Sequence, residues 1–147
     1  MAIYTDTKYR IKRNAEQQEQ MQYLIQDLKI FQSYSQILML SAIVGYNSNL
    51  YVPITTPASD GVLMQFFTET DYDLMDLLAY AHAKEQAILK EDKKYEIFEA
   101  YANAGFPILL KLLEIEPDTE IDAAKQEAIL VRLASLLISK QVIIQNN

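Results

Sequence analysis

The sequence predicts an all-α protein, a compact bundle of five or six helices with room for one short N-terminal β-strand. Three observations carry this expectation. Apolar residues recur at three- and four-residue spacing over most of the chain, and capping residues stand ahead of those stretches. Only 3 Gly and 4 Pro punctuate 147 residues, half of them apolar. The chain divides into a basic arm or strand over residues 1–13 and a single helical domain over residues 14–147.

Each element follows from local signals. Tyr9–Arg13 alternates apolar and basic residues and is too short for a helix, so it reads as a lone strand. Asn14 is a good N-cap, and Met21, Leu24, Ile25 and Leu28 then mark one helical face as far as Lys29. Ser33 with Gln36 forms a capping box opening a second helix, which Gly45 is expected to close as its C′ residue. Leu50–Ile54 is extended because Pro53 blocks a helix, and Thr55 to Gly61 is a loop with Pro57 and Asp60-Gly61 as turn signals. Val62–Phe67 is a short apolar run that fits strand or helix.

Thr70 with Asp73 is expected to cap the next helix, with Leu74, Leu77, Leu78 and Ala81 inward. Asp92 caps the longest helix, whose inward residues are Tyr95, Phe98, Ala102, Leu109 and Leu112. Pro107 has no N–H for the carbonyl of Asn103, so a kink or break is expected near Gly105. Pro117, Asp118 and Thr119 start the last helix, which runs to about Ser139. Its apolar residues, including Leu130, Val131, Leu137 and Ile138, wrap wider than one stripe, which calls for a central position or a subunit interface.

Composition excludes several classes of function. Zero Cys and one His leave no zinc finger, iron–sulfur ligation or thiol chemistry. Three separate glycines make no phosphate-binding loop. No apolar run approaches a membrane span and no secretory signal is visible, so the cytoplasm is the expected location. A net charge of −7 argues against a protein that coats nucleic acid over its whole surface. The charge is uneven, however. Lys8, Arg10, Lys12 and Arg13 face only Asp6 in the first thirteen residues, while Ile30 to Ala83 carries no Lys or Arg.

The acidic run Glu69, Asp71, Asp73 and Asp76 invites a metal reading, yet apolar Leu74 and Met75 lie inside it. Acids that complement the dipole at a helix start explain it better. His82 has no partner at catalytic spacing and reads as a surface or core-edge residue. Ten tyrosines, six of them within Tyr4–Tyr51, are suited to core edges, interfaces or base stacking. No catalytic residue, metal or cofactor is assigned, and the expected role is not enzymatic.

Basic strand, capped helix, turn, Ser-capped helix is the order of the first third, and it resembles a ribbon-helix-helix unit. In that fold strands from two chains pair and enter a DNA major groove. The resemblance implies a homo-oligomer, with Arg10, Lys12 and Arg13 supplying DNA contact and the amides near Ser33 holding a phosphate. The plainer alternative is a basic strand that pairs within its own domain or packs on another protein.

A second pattern covers more of the chain. Ile30-Phe31-Gln32-Ser33-Tyr34, then Leu38 to Tyr46, Pro53-Ile54, Asp73 to Ala81, and Glu99 to Gly105 with Tyr101-Ala102-Asn103-Ala104-Gly105 follow in order. These blocks, spanning about Tyr9 to Leu113, resemble small proteins associated with the Dnd DNA phosphorothioation system. The resemblance implies an accessory or regulatory role in bacterial anti-phage defence, through protein partners of a modification or restriction system and, as an option, DNA. Physically, Tyr101-Ala102-Asn103-Ala104-Gly105 is a small-residue patch that another helix or backbone can approach, and Tyr101, Asn103 and Gly105 are the expected partner interface. The alternative is a structural subunit, or an inhibitor that mimics DNA through its acidic middle.

Overall fold

A computed structural model describes residues 3–115 and 122–146. It is mostly helical, as expected, with a single two-stranded sheet among the described residues. The elements are β1 (Arg10–Ile11), α1 (Gln18–Gln22), α2 (Tyr34–Asn47), β2 (Val62–Leu63), α3 (Glu69–Ala83), α4 (Lys93–Leu112) and α5 (Ala123–Asn146). Short 3₁₀ turns cover Ala15–Gln17, Met64–Phe66 and Gln86–Lys90. By its contacts the chain forms two compact units, Met1–Ile108 and Leu109–Asn147.

In the first unit, Asn14 caps as predicted, its side chain accepting from Glu16 N–H at 3.0 Å. The stretch that follows is helical throughout but changes register from 3₁₀ to α to a π turn over Tyr23–Asp27. Met21, Leu24 and Leu28 are buried on its inner face. Ser33 caps α2 by accepting from Gln36 N–H. The reciprocal half of the box is displaced by one residue, because Gln36 Oε1 accepts from Gln32 N–H at 2.9 Å.

Gly45 does not close α2. The helix runs on to Asn47, and Asn49 takes the left-handed conformation at φ 56°. Leu50 N–H bonds to Gly45 C=O and Asn49 N–H to Tyr46 C=O, a Schellman motif. Gly45 is instead a packing position. A Cβ there would lie 2.2 Å from Tyr101 O, and one on Gly105 would lie 1.8 Å from Ser41 O and 2.6 Å from Gly45 N. Thus α2 and α4 cross backbone to backbone at two glycines.

β1 pairs antiparallel with β2 of the same chain, Arg10 opposite Leu63 and Ile11 opposite Val62. The ribbon expectation placed this strand against a second chain; the pairing seen here is internal. The run Val62–Phe67 resolves into β2 and a 3₁₀ turn. α3 starts two residues earlier than predicted, with Thr68 and Asp71 forming the capping box. Its buried residues are Met75, Asp76, Leu78 and Ala79, whereas Leu77 is 65% exposed. Both 77 and 78 read as inward from their spacing to Leu74 and Ala81, and the packing turned the helix away from that face.

α4 is continuous through Pro107. The predicted break is absent because the carbonyl that Pro107 leaves free is taken from outside the helix: Gln17 Nε2 donates to Asn103 O at 3.0 Å. Tyr95, Phe98 and Ala102 are buried as predicted. In the second unit Leu109 and Leu113 are buried with Ile129 and Leu133, whereas Leu112 is 47% exposed rather than inward. Asp122 caps α5, accepting from Lys125 N–H at 2.9 Å; the predicted start at Pro117–Thr119 lies outside the described residues. Leu130, Val131, Leu137 and Ile138 are exposed on α5.

Candidate functional site

The basic N-terminal segment is a strap laid along α4. Tyr4 O accepts from Lys94 Nζ, and Asp6 N–H donates to Tyr95 Oη at 2.9 Å. Tyr9 Oη and Lys12 N–H both donate to Glu99 Oε2, at 3.1 and 2.6 Å. Asn14 Nδ2 and Gln17 Nε2 then reach Asn103 Oδ1 and O. Successive strap residues meet successive turns of α4 at 95, 99 and 103, a four-residue ladder of polar side chains on one helix face. Lys94 itself is buried. Its ammonium pairs with Asp76 at 2.9 Å and donates to the carbonyls of Leu89 and Tyr4.

Within the strap, the strand alternates as the sequence predicts. Ile11 is fully buried while Arg10 and Lys12 are exposed, and these two look onto different hollows. Arg10 lines a cavity of about 470 Å³ formed between the start of α2 and the β2 region, with Ser33, Tyr34 and Ser35 on one wall and Val62, Leu63 and Phe66 on the other. Gly61 makes the approach possible: a Cβ there would come within 2.6 Å of Arg10 Cβ. Arg13 also lines the cavity but is 3% exposed. Its guanidinium donates to Asp60 O at 2.6 Å, pairs with Asp60 Oδ1 at 3.2 Å and lies 4.1 Å over the Tyr34 ring. Burial and these bonds remove Arg13 from the surface cations predicted to meet DNA.

Lys12 looks onto a second cleft of about 430 Å³ with Tyr51, Lys93, Glu96 and Glu99. Burial is the main force on Glu99 and raises its carboxyl to about 7, against the opposing pull of the Lys12 amide, the Lys12 charge and the Tyr9 hydroxyl. The same burial, with the Glu99 charge second, raises the Tyr9 phenol. Tyr95 is raised to about 12, chiefly by burial.

The predicted site residues therefore separate. Arg10 and Ser33 come together on one cavity, Lys12 turns to the neighbouring cleft, and Arg13 becomes internal. Ser33 Oγ is already engaged by Gln36 N–H at 3.4 Å and by Ser35 Oγ at 2.8 Å. Tyr101, Asn103 and Gly105 were expected to face a partner, but their contacts lie within the chain. Gly105 receives α2, and Asn103 Nδ2 donates to Val52 O at 2.8 Å. Tyr101 shares a hydrogen bond with His82 Nδ1 at 2.8 Å and is edged by Tyr46 and Tyr51. The close approach anticipated from small residues is real, with α2 as the visitor.

The acidic run is similarly dispersed. Asp71 completes the α3 capping box and Asp76 pairs with Lys94. Sequence reasoning missed Asp60, read only as a turn residue, and Glu99, quoted only as part of a block. The spacing of Tyr95, Glu99 and Asn103 at i, i+4 and i+8 was the available signal for the second.

No helix among the described residues is long and apolar enough to cross a membrane. No curated protein matches the chain, and no solved structure does. One family match extends from residue 10 to residue 134, from β1 through α4 and into α5, beyond the limit suggested by the sequence blocks. That span is most of the chain, and it includes the strap from Arg10 onward, both hollows and the glycine crossing: the protein belongs to the family described as DNA sulphur modification system-associated protein 4.

Proposed function

We propose that the protein is a non-enzymatic accessory subunit of its DNA modification system, working by binding other components of that system and DNA. The observation that carries the DNA part is the union of exposed Arg10 with the start of α2 at one cavity. A free guanidinium and the first amides of a 14-residue helix are complementary to a phosphate. Exposed Lys12, two residues away, adds a second cation. A binding rather than catalytic role is supported by what the buried ionisable groups do. Lys94 with Asp76, Arg13 with Asp60, and Glu99 with Tyr9 and Lys12 each tie two segments together.

Titrating a short labelled DNA duplex at several salt concentrations tests this reading. Arg10→Ala with Lys12→Ala is expected to weaken binding about tenfold or more and to lower the log–log salt slope by about 2, as loss of two phosphate contacts requires. Unchanged affinity and slope would refute DNA contact at this face. The DNA-mimic reading is less well supported, since Asp71 and Asp76 are spent on capping and pairing rather than arrayed on a surface.

A further inference from the structure

We infer that the Arg10 cavity holds one unstacked nucleotide of a DNA strand, with its phosphate at the start of α2 and its base on Phe66. The inference rests on the DNA-binding reading above and specifies the form of DNA taken. Four observations support it. First, the hollow is a recess of about 470 Å³, within the size range of small-molecule sites and too confined for a duplex. Second, its α2 wall offers the first-turn N–H groups of Tyr34 and Ser35, which no helical carbonyl can reach, and Arg10 stands exposed beside them.

Third, Arg13 lines the recess at 3% exposure, and its Nε is buried without a hydrogen-bond partner while its two terminal nitrogens hold Asp60. With Asp60 and the Tyr34 ring holding Arg13 in place, the wall beside Arg10 is fixed by contacts within the chain. Fourth, Phe66 is 58% exposed on the opposite wall, although the adjacent Phe67 is buried at 4%. An aromatic face kept in solvent beside cations is the arrangement that stacks a base. In a duplex the base faces are covered by their neighbours, so Phe66 can engage only a nucleotide in a single strand or one turned out of the stack.

The test compares a labelled oligothymidylate with a duplex of equal length, using anisotropy and the full chain. The parent is expected to bind the single strand more tightly. Phe66→Ala should weaken single-strand binding roughly tenfold, within the range for loss of one base–aromatic stack. Phe66→Leu should recover little of it, and duplex affinity should not change in either variant. Because Phe66 is exposed, thermal unfolding of both variants should match the parent, which separates a binding loss from a folding loss. Parent-like single-strand binding by Phe66→Ala, or a parent that prefers duplex, would overturn the inference. Failure of the underlying reading has a different signature: Arg10→Ala with Lys12→Ala would then change neither titration.

Discussion

Two segments hold α4 by different physics. Where α2 crosses it, two glycines let backbone meet backbone, and the fit is one of close packing and shape. Where the N-terminal strap follows it, the contacts are hydrogen bonds spread over positions 94, 95, 99 and 103. A steric joint tolerates no added atom and is indifferent to pH. A polar joint loses strength in increments, and part of it titrates. The strap also carries Arg10 and Lys12, so the side of the molecule proposed to bind DNA is the one whose attachment is adjustable.

The steric joint gives the largest expected effect. Gly105→Ala puts a methyl 1.8 Å from Ser41 O, a backbone atom that can move only if the helices separate. A loss of about 4 kcal/mol or more is expected, at the exceptional end for single substitutions, read as failure to fold or a collapse in denaturation midpoint. A Tm within a few degrees of the parent would show that the crossing is looser than described. At the polar joint, Lys94→Ala strands Asp76 without its cation and removes the donor to Tyr4 and Leu89; about 3 kcal/mol should be lost in urea unfolding. Retention of full stability would mean the pair breaks even with its own desolvation.

Glu99 sharpens the contrast through pH. Its carboxyl is raised by burial from 4.5 to about 7, so the folded chain holds a proton that the unfolded chain has released. The stability gained from that proton is complete below about pH 4.5 and is lost as pH rises through 7. Its ceiling is about 3 kcal/mol, from the value of one pKa unit. Glu99→Gln should flatten the decline in Tm over that window, while an unchanged profile would assign the slope to other groups. Gln17→Ala should cost least, about 1–2 kcal/mol, because it leaves the Asn103 carbonyl opposite Pro107 without its partner. In this variant amide exchange should rise around residues 103–107; no change there would show that the carbonyl finds another donor.

Much of the fold was legible because its signals are local. Asn14 and Ser33 cap as their side chains dictate, Ile11 alternates with Arg10 and Lys12, and the buried series on the first helix and on α4 follows the helical repeat. Errors cluster where two candidates lay side by side. Thr68 and Thr70 each precede an Asp by three residues, and Leu77 and Leu78 differ by one helical step, so only packing chooses between them. Gly45 could end a helix or admit another, and Pro107 could break one or be compensated. Of the candidate site, the exposure of Arg10 and Lys12 was readable from strand alternation. The capture of Arg13 by Asp60 was not, since 47 positions separate the partners.

The sequence by itself determined that this is a helical protein with a basic start, that Asn14 and Ser33 cap its first helices, and the family to which it belongs. Those properties depend on residues within a few positions of one another, or on their order along the chain. Only the tertiary structure decided that the basic segment is strapped to α4, that two glycines mark a helix crossing, and that Arg10 and Ser33 share a cavity from which Lys12 is turned away. Each of these depends on which distant donor or acceptor ends up facing a given residue. Gln17 and Asn103, 86 positions apart, show why: the carbonyl freed by Pro107 gains its donor only when the chain has folded back on itself.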